Sequence, residues 1–342
     1  MKKSLKILLF YFVSAFSFIS SAQILSVNGA IAPEEMGLTL VHEHIMVDWI
    51  GADSTGYDRW DKNEIFERAL PYLEELKVHG VTTFLDCTPA YVGRDPYILQ
   101  RLSERTGINI LTNTGYYGAG ANKFIPQNVM DYSPQDMAAQ WIKEYEHGID
   151  GSGIRPGFIK ISVDNQDELS VTHENLIKAA ALTHLKTGLT IVSHTGSDGP
   201  AMAQLKVLKR LGVSAEAFVW THAQNGTMAG YMKAANQGAW ISLDNIKGQV
   251  VNAKDGTGNI AWFVKTLNEL KSKGILNHIL ISHDSGWYNV GQENGGNYRG
   301  YTDLFTQLIP SLKENGFTQE DIDLLLRSNP KRAYNIQIRK SH

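Results

Sequence analysis

Short apolar runs that each close on a histidine, lysine or aspartate recur along this chain, and they limit its fold more than any other feature. Leu-Val-His-Glu-His-Ile carries His42 and His44, and Gly-Phe-Ile-Lys-Ile-Ser carries Lys160. Ile-Val-Ser-His-Thr ends near His194, Val-Trp-Thr-His-Ala near His222, and Leu-Ile-Ser-His-Asp-Ser near Asp284. Each run reads as a short buried strand with a polar residue at its C-terminal end. A parallel α/β barrel keeps its reactive groups at that end of its strands.

The rest of the chain fits this reading. Strands are expected at 38–44, 81–86, 108–114, 157–162, 189–194, 217–222, 239–243 and 279–284, all rich in Val, Ile, Phe and Leu. Such continuous apolar runs suit parallel strands buried on both faces. Helical patterns lie between them. Residues 63–77 place Ile65, Phe66, Ala69, Leu73 and Leu76 on one stripe. Ser133 before Pro134 and Thr172 before His173 are expected to cap two further helices. Helical patterns at 201–211, 227–237, 260–273 and 301–312 continue the alternation. Eight strand–helix rounds predict a single (β/α)8 TIM barrel with the ligand-type residues at the C-terminal face of its strands. The competing architecture, an open doubly wound sheet, would be favoured by a Gly-rich phosphate loop, and none is found.

Length and composition agree. One barrel of roughly 250 residues plus insertions uses most of the 342 residues. A hydrophobic content of 43% supports a large core, and a net charge of −3 leaves no basic footprint for nucleic acid. Residues 1–22 stand apart: Lys2, Lys3 and Lys6 precede an apolar run at 7–19, and Ser20-Ser21-Ala22 follows. That is the layout of a secretory signal peptide, too short for a comfortable membrane span. It predicts a periplasmic or secreted protein with a catalytic domain over 23–342 and no stable membrane span. Cys87 is the only cysteine, so no intrachain disulfide forms, and a buried inert thiol is expected.

His42 and His44 are two apart on a strand and point to the same side, with Glu43 pointing away. Imidazole nitrogen and carboxylate oxygen are ordinary ligands for zinc and also suit manganese or cobalt. Lys160 at the end of a buried strand would carry an expensive desolvated charge, which favours the neutral amine. A neutral amine reacts with carbon dioxide to give a carbamate, whose two oxygens suit two cations. The alternative is a lysine paired with an acid. Two long loops, 49–62 and 285–301, begin with Trp49 and with Trp287 and Tyr288, and these aromatics are expected to wall the substrate pocket. His79, His147, His173, His184 and His278 read as surface positions, and His283 should face away from the barrel centre.

The ordered set H-x-H, Lys, His, His, Asp resembles the phosphotriesterase family within the amidohydrolase superfamily. The likeness runs over roughly 23–337 and includes Val-Asn-Gly-Ala-Ile-Ala-Pro-Glu-Glu-Met-Gly-Leu-Thr-Leu-Val-His-Glu-His, Val-Gly-Arg-Asp (92–95), Thr-Gly-Tyr-Tyr (114–117) and Ser-Asn-Pro-Lys-Arg-Ala. The resemblance implies that His42, His44 and Asp284 hold a buried metal, and that His194 and His222 hold a more exposed one. A carboxylated Lys160 (N6-carboxylysine) and a hydroxide would bridge two divalent ions, zinc by default. The bridging hydroxide would attack the substrate, with Asp284 accepting its proton.

The substrate reading rests on fewer residues. Tyr117 matches an aromatic position beside the metal site where lactonase members resemble this chain in using tyrosine. After the seventh strand, Asn245 stands where better-known members carry His or Arg. Gln224 and Asn225 follow His222 in place of an acidic pair, and Gln224 could bind substrate. The leading expectation is a zinc-dependent hydrolase of lactones or related esters with side activity on phosphotriesters. Alternatives are a primary phosphotriester or phosphodiester hydrolase, an amide hydrolase or deaminase, and a non-catalytic metal-containing binding protein. The resemblance also implies a possible homodimer.

Overall fold

The computed structural model describes residues 23–248 and 257–341. The signal-peptide expectation therefore lies outside the described residues. Among them, no helix is long and apolar enough to cross a membrane.

Among the described residues, nine strand segments make up the two larger parallel sheets. They are β1 (Thr39–Glu43), β2 (Thr83–Asp86), β3 (Asn109–Leu111), β4 (Asn113–Thr114), β5 (Phe158–Ser162), β6 (Ile191–His194), β7 (Phe218–Thr221), β8 (Trp240–Leu243) and β9 (Ile279–Ile281). One parallel sheet runs β9-β8-β7-β6-β5-β4, and a second runs β1-β2-β3. The stretch expected as a single strand at 108–114 is thus divided at Thr112. At the division Gly157 N donates to the Thr112 carbonyl, at 2.8 Å. Across the opposite ends, Asp284 N donates to the His42 carbonyl at 3.0 Å, bringing the segment after β9 against β1.

The helices alternate with the strands as α1 (Lys62–Val78), α2 (Pro96–Thr106), α3 (Pro134–His147), α4 (Val171–Thr187), α5 (Asp198–Arg210), α6 (Met228–Ala235), α7 (Ile260–Ser272) and α8 (Ile309–Glu314). Local chemistry sets their ends. Asp61 caps α1 by accepting from Asn63 N and Glu64 N, and Ser133 shares a capping box with Asp136 at the start of α3. At α4 the cap is Ser170 and not Thr172: the Ser170 hydroxyl accepts from His173 N, so the helix begins earlier than the sequence reading placed it. Helix α2 completes the eight strand–helix rounds at a place where the sequence gives only its end: Asp95 caps it, Pro96 occupies its first turn and Gly107 ends it in the left-handed conformation.

Two apolar cores result. The larger one lies between strands and helices. The smaller one takes Val41, Leu85, Leu111, Phe158, Val192, Val219, Trp240 and Leu280 from β1, β2, β3, β5, β6, β7, β8 and β9 in turn. This inner core fixes the side-chain facing of the strand ends. Phe158 and Lys160, and Val192 and His194, lie two residues apart on one strand each. Side chains at even spacing share a strand face, so the polar residues stand above the inner core.

Candidate metal centre

Above that inner core, the strand ends enclose a cavity of about 150 Å³. His42, His44, Lys160, His194, His222 and Asp284 all line it, together with Tyr117, Trp49, Trp287 and Cys87. The structure thus brings together the six ligand-type residues from five separate strand ends. Three of the histidines, His42, His44 and His222, stand at odd spacing from the inner-core Val41 and Val219, and both strand ends carry backbone irregularities. The pairing of β1 with β2 shifts register between Leu40 and Glu43, beside His42. His222 adopts a left-handed backbone, φ 56° and ψ 33°, which is uncommon for a residue with a side chain. Asp284 and Trp287 also have positive φ, 54° and 75°.

Close backbone approaches explain two glycines. A Cβ on Gly115 (φ 124°) would stand 2.1 Å from the Lys160 carbonyl oxygen, and one on Gly286 (φ 97°) 1.7 Å from that of His44. Any side chain there would push a wall of the cavity outward.

The polar contacts are short and buried. His44 Nε2 lies 3.1 Å and His42 Nε2 3.9 Å from Asp284 Oδ1. Lys160 is 1% exposed, and its Nζ lies 3.1 Å from His42 Nε2. Among the described residues it makes no ion pair with a carboxylate. The Tyr117 hydroxyl is 3.0 Å from His194 Nδ1. Rings of His194 and His222 meet edge to face at 4.3 Å between centroids.

Behind these groups stands Asp244, which the sequence reading passed over in favour of its neighbour Asn245. Asp244 is fully buried. Its Oδ2 lies 2.8 Å from His42 Nδ1 and its Oδ1 2.9 Å from His222 Nδ1. It also accepts from the His222 backbone N–H and the Ser242 hydroxyl. His42, His222 and Asp244 are near enough to share a cation, as are His42, His44 and Asp284. We favour the second group, because the Asp244 oxygens are already engaged by four donors.

Electrostatics follow from burial and from these partners. Burial and the charge of Lys160 pull His42 down to about 4, against the opposing pull of Asp244. Burial and the neighbouring His222 and Lys160 hold His194 well below its ordinary value. Burial would lower His222, but Asp244 outweighs it and raises the group. Burial would raise Asp244 and Asp284, but the surrounding imidazoles hold both carboxyls below the usual carboxylate range. Burial pushes the Cys87 thiol and the Tyr117 hydroxyl up.

The residues fit a divalent cation. Asp284 Oδ1 is buried in a cavity walled by imidazoles, and although His44 Nε2 lies 3.1 Å away it is outside hydrogen-bonding geometry, so the oxygen has no hydrogen-bond partner among the described residues. A bound cation supplies what such an oxygen lacks, since a buried acceptor left unmatched costs about 1–3 kcal/mol.

The expected substrate contacts divide. Trp49 and Trp287 stack at 5.4 Å between ring centroids on the cavity wall, and Trp287 packs on His44 at 4.1 Å. Gln224, Asn245 and Tyr288 are not brought to that wall. The Gln224 side chain accepts from Asp244 N. Tyr288 is buried and donates to Glu64 on α1. Its segment pairs with Met46–Val47, so part of the loop expected at 285–301 is strand.

The remaining histidines correct the sequence reading in two places. His173 and His184 are buried, not at the surface. His173 Nε2 lies 3.1 Å from the Gly118 carbonyl. His184 Nδ1 lies 2.8 Å from the Leu189 carbonyl, and its Nε2 accepts from Arg339 N. His147 is exposed, and His79 and His278 are half-buried. His283 faces Glu43, whose carboxylate also accepts from Ser282 and Ser285. Glu43 therefore ties β1 to the segment that presents Asp284.

Comparison with known proteins agrees with this geometry. The model of the phosphotriesterase family matches residues 22–334. The phosphotriesterase homology protein of Escherichia coli (strain K12) is 29% identical over 299 residues, 87% of this chain and 98% of that protein. The aryldialkylphosphatase of Saccharolobus solfataricus is 26% identical over 314 residues, 89% of this chain and 97% of that protein. The N-acetyltaurine hydrolase of Homo sapiens is 21% identical over 347 residues, 91% of this chain and 97% of that protein. With the family model spanning nearly the whole chain and six ligand-type side chains gathered in one cavity, this protein belongs to the phosphotriesterase family.

Proposed function

We propose that this protein is a metal-dependent hydrolase of lactones and related carboxylic esters. The observation that carries the reading is the unpartnered Asp284 Oδ1 in a cavity shared with four histidines and an unpaired lysine. His42, His44 and Asp284 would hold one divalent cation, His194 and His222 a second, and a carboxylated Lys160 both; zinc is the metal we favour. Bound there, the cations supply Lewis acidity toward the scissile carbonyl and make hydroxide available from water near neutral pH.

The chain's own residues do the rest. Asp284 would accept the proton of the attacking hydroxide through its carboxylate and pass it outward, since its side chain is 23% exposed. Trp49 and Trp287 shield one side of the cavity from water, and Val47, Pro89 and Val92 add apolar surface. Among the described residues, Lys160 is the only lysine or arginine lining it. A small cavity with apolar walls favours an uncharged, compact ester over an anionic one. Tyr117 stands beside His194, where its hydroxyl can meet the substrate oxygen as charge develops there.

The aryldialkylphosphatase and N-acetyltaurine hydrolase relatives support a second reading, in which phosphotriesters or amides are the main substrates. We also read the two parallel sheets as one closed eight-stranded barrel. The inner core drawn from eight strands supports this, as does the Asp284-to-His42 backbone bond. Residues 1–22 are proposed to direct export.

The test is hydrolysis of one panel of lactones, aryl phosphotriesters and N-acyl amines by the zinc-loaded protein, with Lys160→Ala as the blank. Turnover that favours lactones and vanishes with chelator supports the proposal. Turnover favouring phosphotriesters or amides moves the second reading to first place, and chelator-resistant hydrolysis contradicts both.

A further inference from the structure

We propose that Asp244 is a positioning residue that sets the ring tautomer of both His42 and His222, and so ties the two halves of the metal centre together. The inference rests on the metal-centre reading above. An ionised carboxylate only accepts hydrogen bonds. With Oδ2 at 2.8 Å from His42 Nδ1 and Oδ1 at 2.9 Å from His222 Nδ1, both imidazoles must carry their proton on Nδ1 to donate. Each ring then keeps its lone pair on Nε2, facing the cavity; that of His42 has Lys160 Nζ at 3.1 Å, the group whose carboxylated form would share the cation. One fully buried side chain thereby prepares a ligand for each of the two cations.

The two oxygens are not equivalent, and the difference gives the proposal a specific test. The His222 backbone N–H also donates to Asp244, at 3.0 Å to Oδ1 and 3.2 Å to Oδ2. That donor has no alternative tautomer. The Ser242 hydroxyl, 2.9 Å from Oδ2, can rotate to accept instead. In an Asp244→Asn variant the amide oxygen is therefore expected on the His222 side and the amide NH2 on the His42 side. Facing an NH2, His42 must accept at Nδ1 and move its proton to Nε2. Its lone pair then points away from the cavity, and His42 ceases to be a ligand while His222 remains one. Loss of an outer hydrogen-bond partner usually weakens metal binding by roughly 10–100-fold. Here that loss should fall on the His42 side.

The experiment compares the purified wild-type protein and Asp244→Asn in two ways. Zinc is titrated and counted after dialysis, and the ring 15N resonances of His42 are recorded in the metal-free proteins at pH 8. The proposal predicts that the variant keeps one tightly held zinc where the wild type keeps two. It also predicts the Nδ1–H form for His42 in the wild type and the Nε2–H form in the variant. Circular dichroism establishes that the variant is folded, and Asp244→Glu, which restores a carboxylate, should recover part of the lost zinc. Equal zinc retention and an unchanged His42 tautomer in Asp244→Asn would overturn the proposal. If the wild type binds no zinc, the metal-centre reading fails, while the tautomer measurement still decides the role of Asp244.

Discussion

The four histidines of the centre are held in two different ways. His42 and His222 share one buried carboxylate, Asp244. His44 and His194 each have a separate neutral partner: Thr88 Oγ1 at 2.8 Å from His44 Nδ1, and the Tyr117 hydroxyl at 3.0 Å from His194 Nδ1. Thr88 donates its own proton to the Met46 carbonyl, so its oxygen is left to accept from His44. No such second bond orients the Tyr117 hydroxyl in the described structure. A shared charged partner couples two ligands, whereas separate hydroxyls orient one ligand each. Charge-assisted hydrogen bonds are also roughly twice as strong as neutral ones, so the two pairs should differ in how much depends on them.

Substitutions can break this contrast in a definite order. Lys160→Ala removes a group common to both halves, and zinc affinity should fall by more than about 100-fold, beyond the usual range for an outer partner. Turnover should vanish, and added short carboxylic acids should restore part of it in an activity assay. Asp244→Asn comes next, with a loss of roughly 10–100-fold concentrated on one zinc. Thr88→Val releases only His44, and the expected weakening is about 10-fold by zinc titration, the low end of the same range. Tyr117→Phe removes a single neutral hydrogen bond, worth roughly 2- to 10-fold. It should change kcat while leaving the zinc content at the wild-type value. A larger effect for Thr88→Val than for Asp244→Asn would reverse the contrast.

The smallest effect lies away from the centre. Burial holds His184 below its ordinary value, with Leu189 and Arg339 as backbone partners. The folded protein therefore prefers neutral His184. A histidine lowered on folding contributes stability that is fully present above its unfolded value near 6.5 and is lost as pH falls below it. Thermal unfolding should show a lower midpoint at pH 5 than at pH 7.5, and His184→Gln should flatten part of that dependence.

Much of this was legible in the chain because buried parallel strands are short, apolar and repetitive. The strand expected at 157–162 is Phe158–Ser162, and the one at 239–243 is Trp240–Leu243. Lys160 and His194 were legible for the same reason: each keeps even spacing from an inner-core residue on its strand. Asp244 was not, since its importance arises only when β1, β7 and β8 bring His42 and His222 to either side of it. The left-handed backbone at His222 carries no sequence signal, because histidine there has no glycine-like signature. The burial of His173 and His184 was hidden because α4 buries residues around much of its circumference, so helical position alone does not tell inside from outside. In the sequence Tyr288 stands with Trp287 at the start of a long loop, which makes it a candidate pocket aromatic. Strand pairing with Met46–Val47 instead places it against α1.

The most direct test of the central claim is the zinc content of the wild-type protein and of Lys160→Ala, measured together with 13C NMR in 13C-labelled bicarbonate. The account predicts two zinc ions per chain and a lysine carbamate resonance in the wild type, with the resonance absent and zinc reduced in Lys160→Ala. A wild type that binds no zinc, or a Lys160→Ala variant that keeps both ions and full turnover, would contradict it.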